Sequence, residues 1–178
     1  MKHPQHEELI QVVRDALSLE FNGEYFYQQV AELTHHPKGK QVFLQLAEQE
    51  QGHVEEIGNL FAHLIGEEAW KQVLAETATQ PRSSPVIEQL AAAVSARGHS
   101  QVADDTQALR LAMELERRAI QFFEGLKQHT DDSVMLDMIH KMAEEERFHY
   151  DFLQSQLDSV LNVGIWLDST EFRQDGKF

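Results

Sequence analysis

The sequence predicts an all-α fold in which four long helices form a bundle of two antiparallel hairpins. Apolar residues recur at intervals of three and four along most of the 178 residues, and no window alternates with the period of two that marks a β-strand. Four long helical segments are predicted, and they form two pairs. Within each pair only a short break separates the two helices, at 35–38 in the first pair and at 129–132 in the second. The two halves of the chain are also similar to each other. We therefore expect a single domain over residues 1–178.

The first hairpin is predicted from its apolar periodicity and from the residues at its turn. The spacing predicts one helix over about 7–34 and a second over about 38–65. Pro37 suits the first turn of the second helix, because the N–H that proline lacks would have no partner there. Gly66 suits the end of that helix, since glycine tolerates the backbone turn that follows.

A long crossover over residues 66–104 is predicted to join the two hairpins. A Pro- and Ser-rich loop divides it, and short helices near 67–77 and 86–97 flank this loop. A connection of this length can return along the bundle, so the second hairpin can be inverted relative to the first.

The second hairpin is predicted to contain a helix over about 105–128 and another over about 133–161. Asp104 or Asp105 offers an N-cap for the first of these, and the polar residues at 131–133 offer one for the second. The tail over residues 164–178 contains three aromatic residues that we expect to dock on the bundle or on a partner subunit: Trp166, Phe172 and Phe178.

An internal repeat with a fixed shift of 96 residues relates the two hairpins. The shift superposes three pairs of polar residues: Glu20 on Glu116, Glu50 on Glu146, and His53 on His149. A step of three residues brings a Glu and a His to one face of a helix, so each Glu-x-x-His pair shares a face. Three neighbouring acids point elsewhere and are expected in solvent: Glu48, Glu114 and Glu144.

This arrangement places four carboxylates and two imidazoles in the middle of the predicted bundle. Burying up to four negative charges costs several kcal/mol for each charge, although protonation could relieve part of that cost. Two divalent cations would neutralise all four charges, and oxygen donors together with imidazole suit iron or manganese. One Glu-x-x-His pair alone is more simply explained as an exposed helical pair. The six residues together favour a two-metal site.

Composition and charge exclude several other classes of function. The 30 acidic and 15 basic residues give a formal net charge of −15, which argues against binding to nucleic acid or to an anionic membrane. The chain contains no cysteine, which excludes disulfides, iron–sulfur clusters and thiol chemistry. We find no apolar segment typical of a signal peptide or of a membrane span, and we expect a cytoplasmic protein.

The motif residues resemble the ferritin-like superfamily and, within it, the rubrerythrin-like branch. The second-helix pattern of that family, Phe-x-x-Leu-Ala-x-x-Glu-x-x-His, is similar to residues 43–53, and its fourth-helix counterpart is similar to residues 139–149. The pattern of a Glu followed by aromatic residues occurs twice: Glu20 with Phe26 and Tyr27, and Glu116 with Phe122 and Phe123. The resemblance covers residues 10–65 and 105–160.

The resemblance implies a ferritin-like bundle with two iron ions, or manganese as an alternative. It also implies a ligand set of six residues: Glu20, Glu50, His53, Glu116, Glu146 and His149. Glu50 and Glu146 would bridge the two ions and lie at the centre of the chemistry. The implied reaction is reduction of peroxide or O₂ with oxidation of Fe(II). A chain without cysteine has no rubredoxin domain, so the electron donor must be external. By analogy we expect a homodimer.

The chain departs from the family pattern in the third helix. Members of that family have an additional carboxylate three residues after the Glu of this helix, whereas this chain has Ala119 at that position. Glu24 could serve as a seventh carboxylate or could simply form a hydrogen bond. Tyr27 is expected in the core rather than beside the metal ligands, because its counterpart in the repeat is Phe123. Gly52 could either open space at the site or loosen the packing. Two other functions stay open: iron handling without reductive turnover, and a metal-free interaction bundle.

Overall fold

The computed structural model describes residues 4–82, 101–129 and 131–167, and these ranges contain helices and no strand. Five α-helices lie in these ranges: α1 Pro4–Leu33, α2 Pro37–Ile65, α3 Glu67–Ala78, α4 Gln101–Leu126 and α5 Ser133–Val163. A short 3₁₀ turn, Lys127–His129, follows α4. The all-α prediction is confirmed. The helix predicted near 86–97 lies outside the described residues.

Four of the helices form the predicted pair of hairpins. α1 packs along α2 and α4 packs along α5, and between the hairpins α1 contacts α4 and α2 contacts α5. α3 lies against α1 and α2. None of the helices in the described ranges combines the length and the apolar character that a membrane span requires.

Caps fix the ends of the hairpin helices. The side chain of His36 accepts a hydrogen bond from the backbone N–H of Lys38, and Pro37 occupies the first turn of α2. Asp132 caps α5 by accepting from two backbone N–H groups. Gly66 ends α2 with a φ of 90°, a backbone angle that glycine adopts without steric cost. These caps agree with the turns predicted from the sequence.

The N-cap predicted for α4 is wrong. Helical backbone already covers the residues from Gln101 onward, so neither Asp104 nor Asp105 is the N-cap of α4. Asp105 is buried within α4, and its carboxylate accepts a hydrogen bond from the indole N–H of Trp166 at 3.1 Å. Trp166 is 1% exposed, so this tail residue docks on the bundle of its own chain. The other two tail aromatics, Phe172 and Phe178, lie outside the described residues.

Two apolar clusters fill the bundle, one toward each end. The first cluster includes Tyr27, Phe43, Leu109, Leu153 and Trp166. The second includes Leu17, Ile57, Phe123, Ile139 and Met142. Along each of the four bundle helices, the predicted site residues fall between positions of the two clusters. The bundle therefore buries one polar layer between two apolar layers.

Candidate metal centre

The structure brings all six predicted site residues together in that polar layer. Each of the four bundle helices contributes, with one Glu from α1, one Glu from α4, and a Glu-x-x-His pair from each of α2 and α5. Every one of the six side chains is buried, and the most exposed of them is only 5% exposed. Their roles as metal ligands stay predictions.

The six residues form two overlapping groups of four. Glu20, Glu50, His53 and Glu146 offer ligand atoms that all lie within 4.8 Å of one another, and so do Glu50, Glu116, Glu146 and His149. Glu50 and Glu146 belong to both groups. This is the arrangement that two adjacent cations bridged by two carboxylates would require.

Both imidazoles direct Nδ1 toward the carboxylates. Nδ1 of His53 lies 3.0 Å from Glu20 Oε2 and 3.1 Å from Glu146 Oε1. Nδ1 of His149 lies 3.3 Å from Glu50 Oε1 and 3.5 Å from Glu146 Oε2. The two rings are stacked, with centroids 5.4 Å apart and planes at 15°. The cluster therefore has approximate twofold symmetry, as the sequence repeat predicts.

Several buried atoms of the cluster form no hydrogen bond of normal geometry, although some of them lie within 3.5 Å of a neighbouring polar atom. They are Glu20 Oε1, Glu50 Oε1, Glu116 Oε2, both carboxylate oxygens of Glu146 and both ring nitrogens of His149. A buried polar atom without a partner costs about 1–3 kcal/mol, and more where the group is charged. Such a concentration of unpartnered atoms in one layer indicates that a ligand completes the site.

The carboxyls of Glu20 and Glu116 have strongly shifted pKa values. Burial raises the pKa of both groups well above the ordinary value, and the negative charge of Glu146 adds to each rise. For Glu146 itself, burial would raise the pKa, but the neighbouring His149 and His53 outweigh burial and lower it. Glu20 and Glu116 therefore hold a proton more strongly than Glu146 does.

The imidazoles hold protons more strongly than free histidine. Burial alone would lower the pKa of His149, but the nearby carboxylates of Glu146 and Glu50 raise it to about 9. Burial would also lower the pKa of His53, but its contacts with Glu145, Glu146 and Glu20 outweigh burial and raise that pKa far above its ordinary value. Without metal, protons on these groups offset the carboxylate charge.

Tyr27 both fills the core and contacts one of the six site residues. The residue is fully buried in the core, as expected, but its hydroxyl also donates a hydrogen bond to Glu116 Oε1. The phenol can therefore orient Glu116 within the site. Phe123, the counterpart of Tyr27 in the repeat, has no hydroxyl, so Glu20 receives no equivalent bond from that position.

The space for Glu50 comes from Gly23 and not from Gly52. A Cβ at Gly23 would lie 3.0 Å from Glu50 Oε2, so a larger residue there would press on the carboxylate. A Cβ at Gly52 would meet no atom within 4 Å, and Gly52 is exposed. The suggestion that Gly52 opens the site is therefore wrong.

The remaining acids lie outside the two groups of four. Glu24 is only partly buried and accepts a hydrogen bond from Gln28 at 3.0 Å, which agrees with the simpler of its two interpretations. Glu48 and Glu144 are exposed, as predicted. Glu145, which the sequence analysis did not consider, approaches His53 from its outer side.

Comparisons with known proteins identify the family. A sequence model of rubrerythrin matches residues 11–157, a range that contains all six site residues. The chain belongs to the rubrerythrin family. A hypothetical protein from Pyrococcus furiosus has a similar structure, with a TM-score of 0.63 and 22% identity over 86% of this chain and 90% of that one. A search of curated proteins finds no match.

Membership of the rubrerythrin family implies a metal site, and the residues present fit one. Carboxylate oxygens and imidazole nitrogens are the donors that iron and manganese take in proteins. The unpartnered atoms lie on the residues of the two groups, where coordination would satisfy them. The donor set thus agrees with the family, and the buried Glu and His cluster is able to bind metal.

Metal binding to this rubrerythrin-family chain should release protons. The pKa values of Glu20, Glu116, His53 and His149 are all raised, so these groups hold protons that entering cations must displace. We expect a net release of protons when the ions bind at pH 7, and an affinity that increases with pH. Calorimetric titration in two buffers of different ionisation enthalpy measures the number. An affinity that does not change between about pH 6 and 8 would contradict these protonation states.

Proposed function

We propose that this rubrerythrin-family protein is a di-iron oxidoreductase that reduces peroxide or O₂ while Fe(II) is oxidised, with manganese as the alternative metal. The observation that supports the proposal is the pair of four-residue groups that share Glu50 and Glu146. Two ferrous ions held side by side would supply two electrons to one molecule of oxidant.

The residues of the chain would hold the ions and exclude water. Glu50 and Glu146 would bridge, while Glu20 with His53 and Glu116 with His149 would complete the two positions. The apolar clusters above and below the layer would limit the access of solvent to the site. The hydroxyl of Tyr27 would keep one oxygen of Glu116 in a fixed orientation.

Reduction of one peroxide to two waters consumes two electrons and two protons. The chain has no cysteine, so it contains no thiolate-bound iron that could return those electrons. An external donor must therefore restore the ferrous state before each new cycle. The cytoplasmic location, the homodimer and the absence of nucleic-acid and membrane partners stay predictions from the sequence.

The same donor set also suits a second candidate, iron handling without reductive turnover. In that case the same six residues would bind Fe(II) and oxidise it once. A metal-free interaction bundle is the weakest alternative, because it leaves the buried unpartnered atoms of the cluster without a partner.

Peroxide consumption under anaerobic conditions separates these functions. The chain is loaded with Fe(II) and mixed with hydrogen peroxide and an excess of an artificial electron donor, with the chelator-treated chain as the control. An oxidoreductase should consume many molecules of peroxide per chain, whereas an iron-handling protein should consume about one and stop, since two ferrous ions supply only two electrons. A rate equal to that of the chelator-treated control would contradict both functions.

A further inference from the structure

Glu145 lies directly behind one of the two histidines. Its Oε2 is 3.4 Å from Nε2 of His53, on the opposite side of the ring from the Nδ1 that faces the cluster. That oxygen is buried and has no hydrogen-bonding partner. At 3.4 Å the pair is slightly longer than a normal hydrogen bond and lies within ion-pair distance.

A second ion pair lies on the other oxygen of the Glu145 carboxylate. Nζ of Lys141, one turn earlier on α5, lies 3.7 Å from Oε1 of Glu145 and 2.5 Å from Oε2 of Glu56 on α2. Lys141 thus holds one oxygen of Glu145 and leaves the other directed at His53.

The second histidine lacks an equivalent neighbour. Nε2 of His149 is buried and has no hydrogen-bonding partner among the described residues. The repeat places Gln49 at the position that corresponds to Glu145, so the other half of the chain has a neutral amide there. The cluster is therefore nearly symmetric in its six inner residues and asymmetric in the residues that surround them.

We propose that Glu145 is a positioning residue for His53 and makes the two metal positions unequal. By accepting the Nε2–H of His53, the carboxylate would leave Nδ1 free to donate to a cation and would make the ring a stronger ligand. The position formed by Glu20, Glu50, His53 and Glu146 would then bind the tighter of the two ions. This inference rests on the metal centre proposed above.

The test compares three variants in anaerobic titrations with Fe²⁺, repeated with Co²⁺. Glu145→Ala should weaken one of the two binding steps about 10–100-fold and leave the other within about twofold. Glu145→Gln keeps an acceptor oxygen and should stay within about threefold of the natural chain in both steps. Glu144→Ala, the matched control, removes the same charge from an exposed neighbour that pairs with Arg147, and should leave both steps unchanged.

Proton NMR of the Co²⁺-loaded chain provides a readout that a structural role would not affect. Each coordinated histidine gives a solvent-exchangeable, paramagnetically shifted Nε2–H signal, and Glu145→Ala should speed the exchange of one of them. Equal weakening of both binding steps by Glu145→Ala, or a titration that coincides with that of Glu144→Ala, would overturn the positioning role. A loss in Glu145→Gln as large as in Glu145→Ala would also overturn it. If the natural chain itself binds neither ion, the metal centre fails and this inference fails with it.

Discussion

Replacing either shared carboxylate, by Glu50→Ala or Glu146→Ala, should reduce the bound metal from two ions per chain to at most one. Each of these residues belongs to both groups of four, so each substitution removes a donor from both positions at once. It also removes the negative charge that would lie between two cations, whose mutual repulsion at a few ångströms is strong in a buried site. Elemental analysis of the anaerobically loaded and desalted variants measures the stoichiometry.

Two neighbouring acids supply matched controls for these variants. Glu48 and Glu144 each lie two positions earlier on the same helix and are exposed. Glu48→Ala and Glu144→Ala therefore remove the same charge without touching the cluster, and both should retain two ions. Full occupancy in Glu50→Ala or Glu146→Ala would refute the bridging roles of these residues.

Loading with metal should raise the unfolding temperature of the natural chain by about 15–30 °C. A free ion concentration about 1,000 times the dissociation constant contributes about 4 kcal/mol for each ion, and two ions contribute about 8 kcal/mol. For a chain of this size, about 1 kcal/mol shifts the midpoint by about 2–4 °C. The physical source is the set of buried charges and unpartnered atoms that the ions would satisfy. Calorimetry of chelator-treated and loaded samples gives the shift.

The double variant Glu50→Ala and Glu146→Ala is the control for this stabilisation. It keeps the apolar clusters but lacks the shared ligands, so added metal should move its midpoint by only a few degrees. A shift as large as that of the natural chain would show that the ions stabilise the protein from some other place.

Much of the fold could be predicted from the sequence because its determinants are local. Apolar periodicity and the turn residues near 35–38 and 131–133 predicted three of the long helices within a few residues. The position of Asp105 inside α4 could not be predicted in this way. Asp105 is a good N-cap residue by type, but its carboxylate bonds to Trp166, 61 residues away, and a contact of that kind leaves no local pattern.

The six inner residues could be predicted because the repeat presents them twice. The neighbouring residues whose effects could not be predicted lie where the two halves of the chain differ. In the 96-residue repeat, Tyr27 corresponds to Phe123, Glu145 corresponds to Gln49, and Gly23 corresponds to Ala119. The repeat identifies only those site residues that occur in both halves of the chain, so it does not identify these three residues. Their effects on Glu116, His53 and Glu50 appear only once the helices are packed.

The most direct test of the central claim is a crystal structure of the loaded chain with anomalous scattering measured at the iron and manganese edges. The account predicts two anomalous peaks between the four bundle helices, one beside His53 and one beside His149, with Glu50 and Glu146 contacting both. Scattering at the iron edge would identify iron, and scattering only at the manganese edge would identify the alternative metal. A well-ordered cluster without any anomalous peak, or peaks confined to the protein surface, would contradict the account.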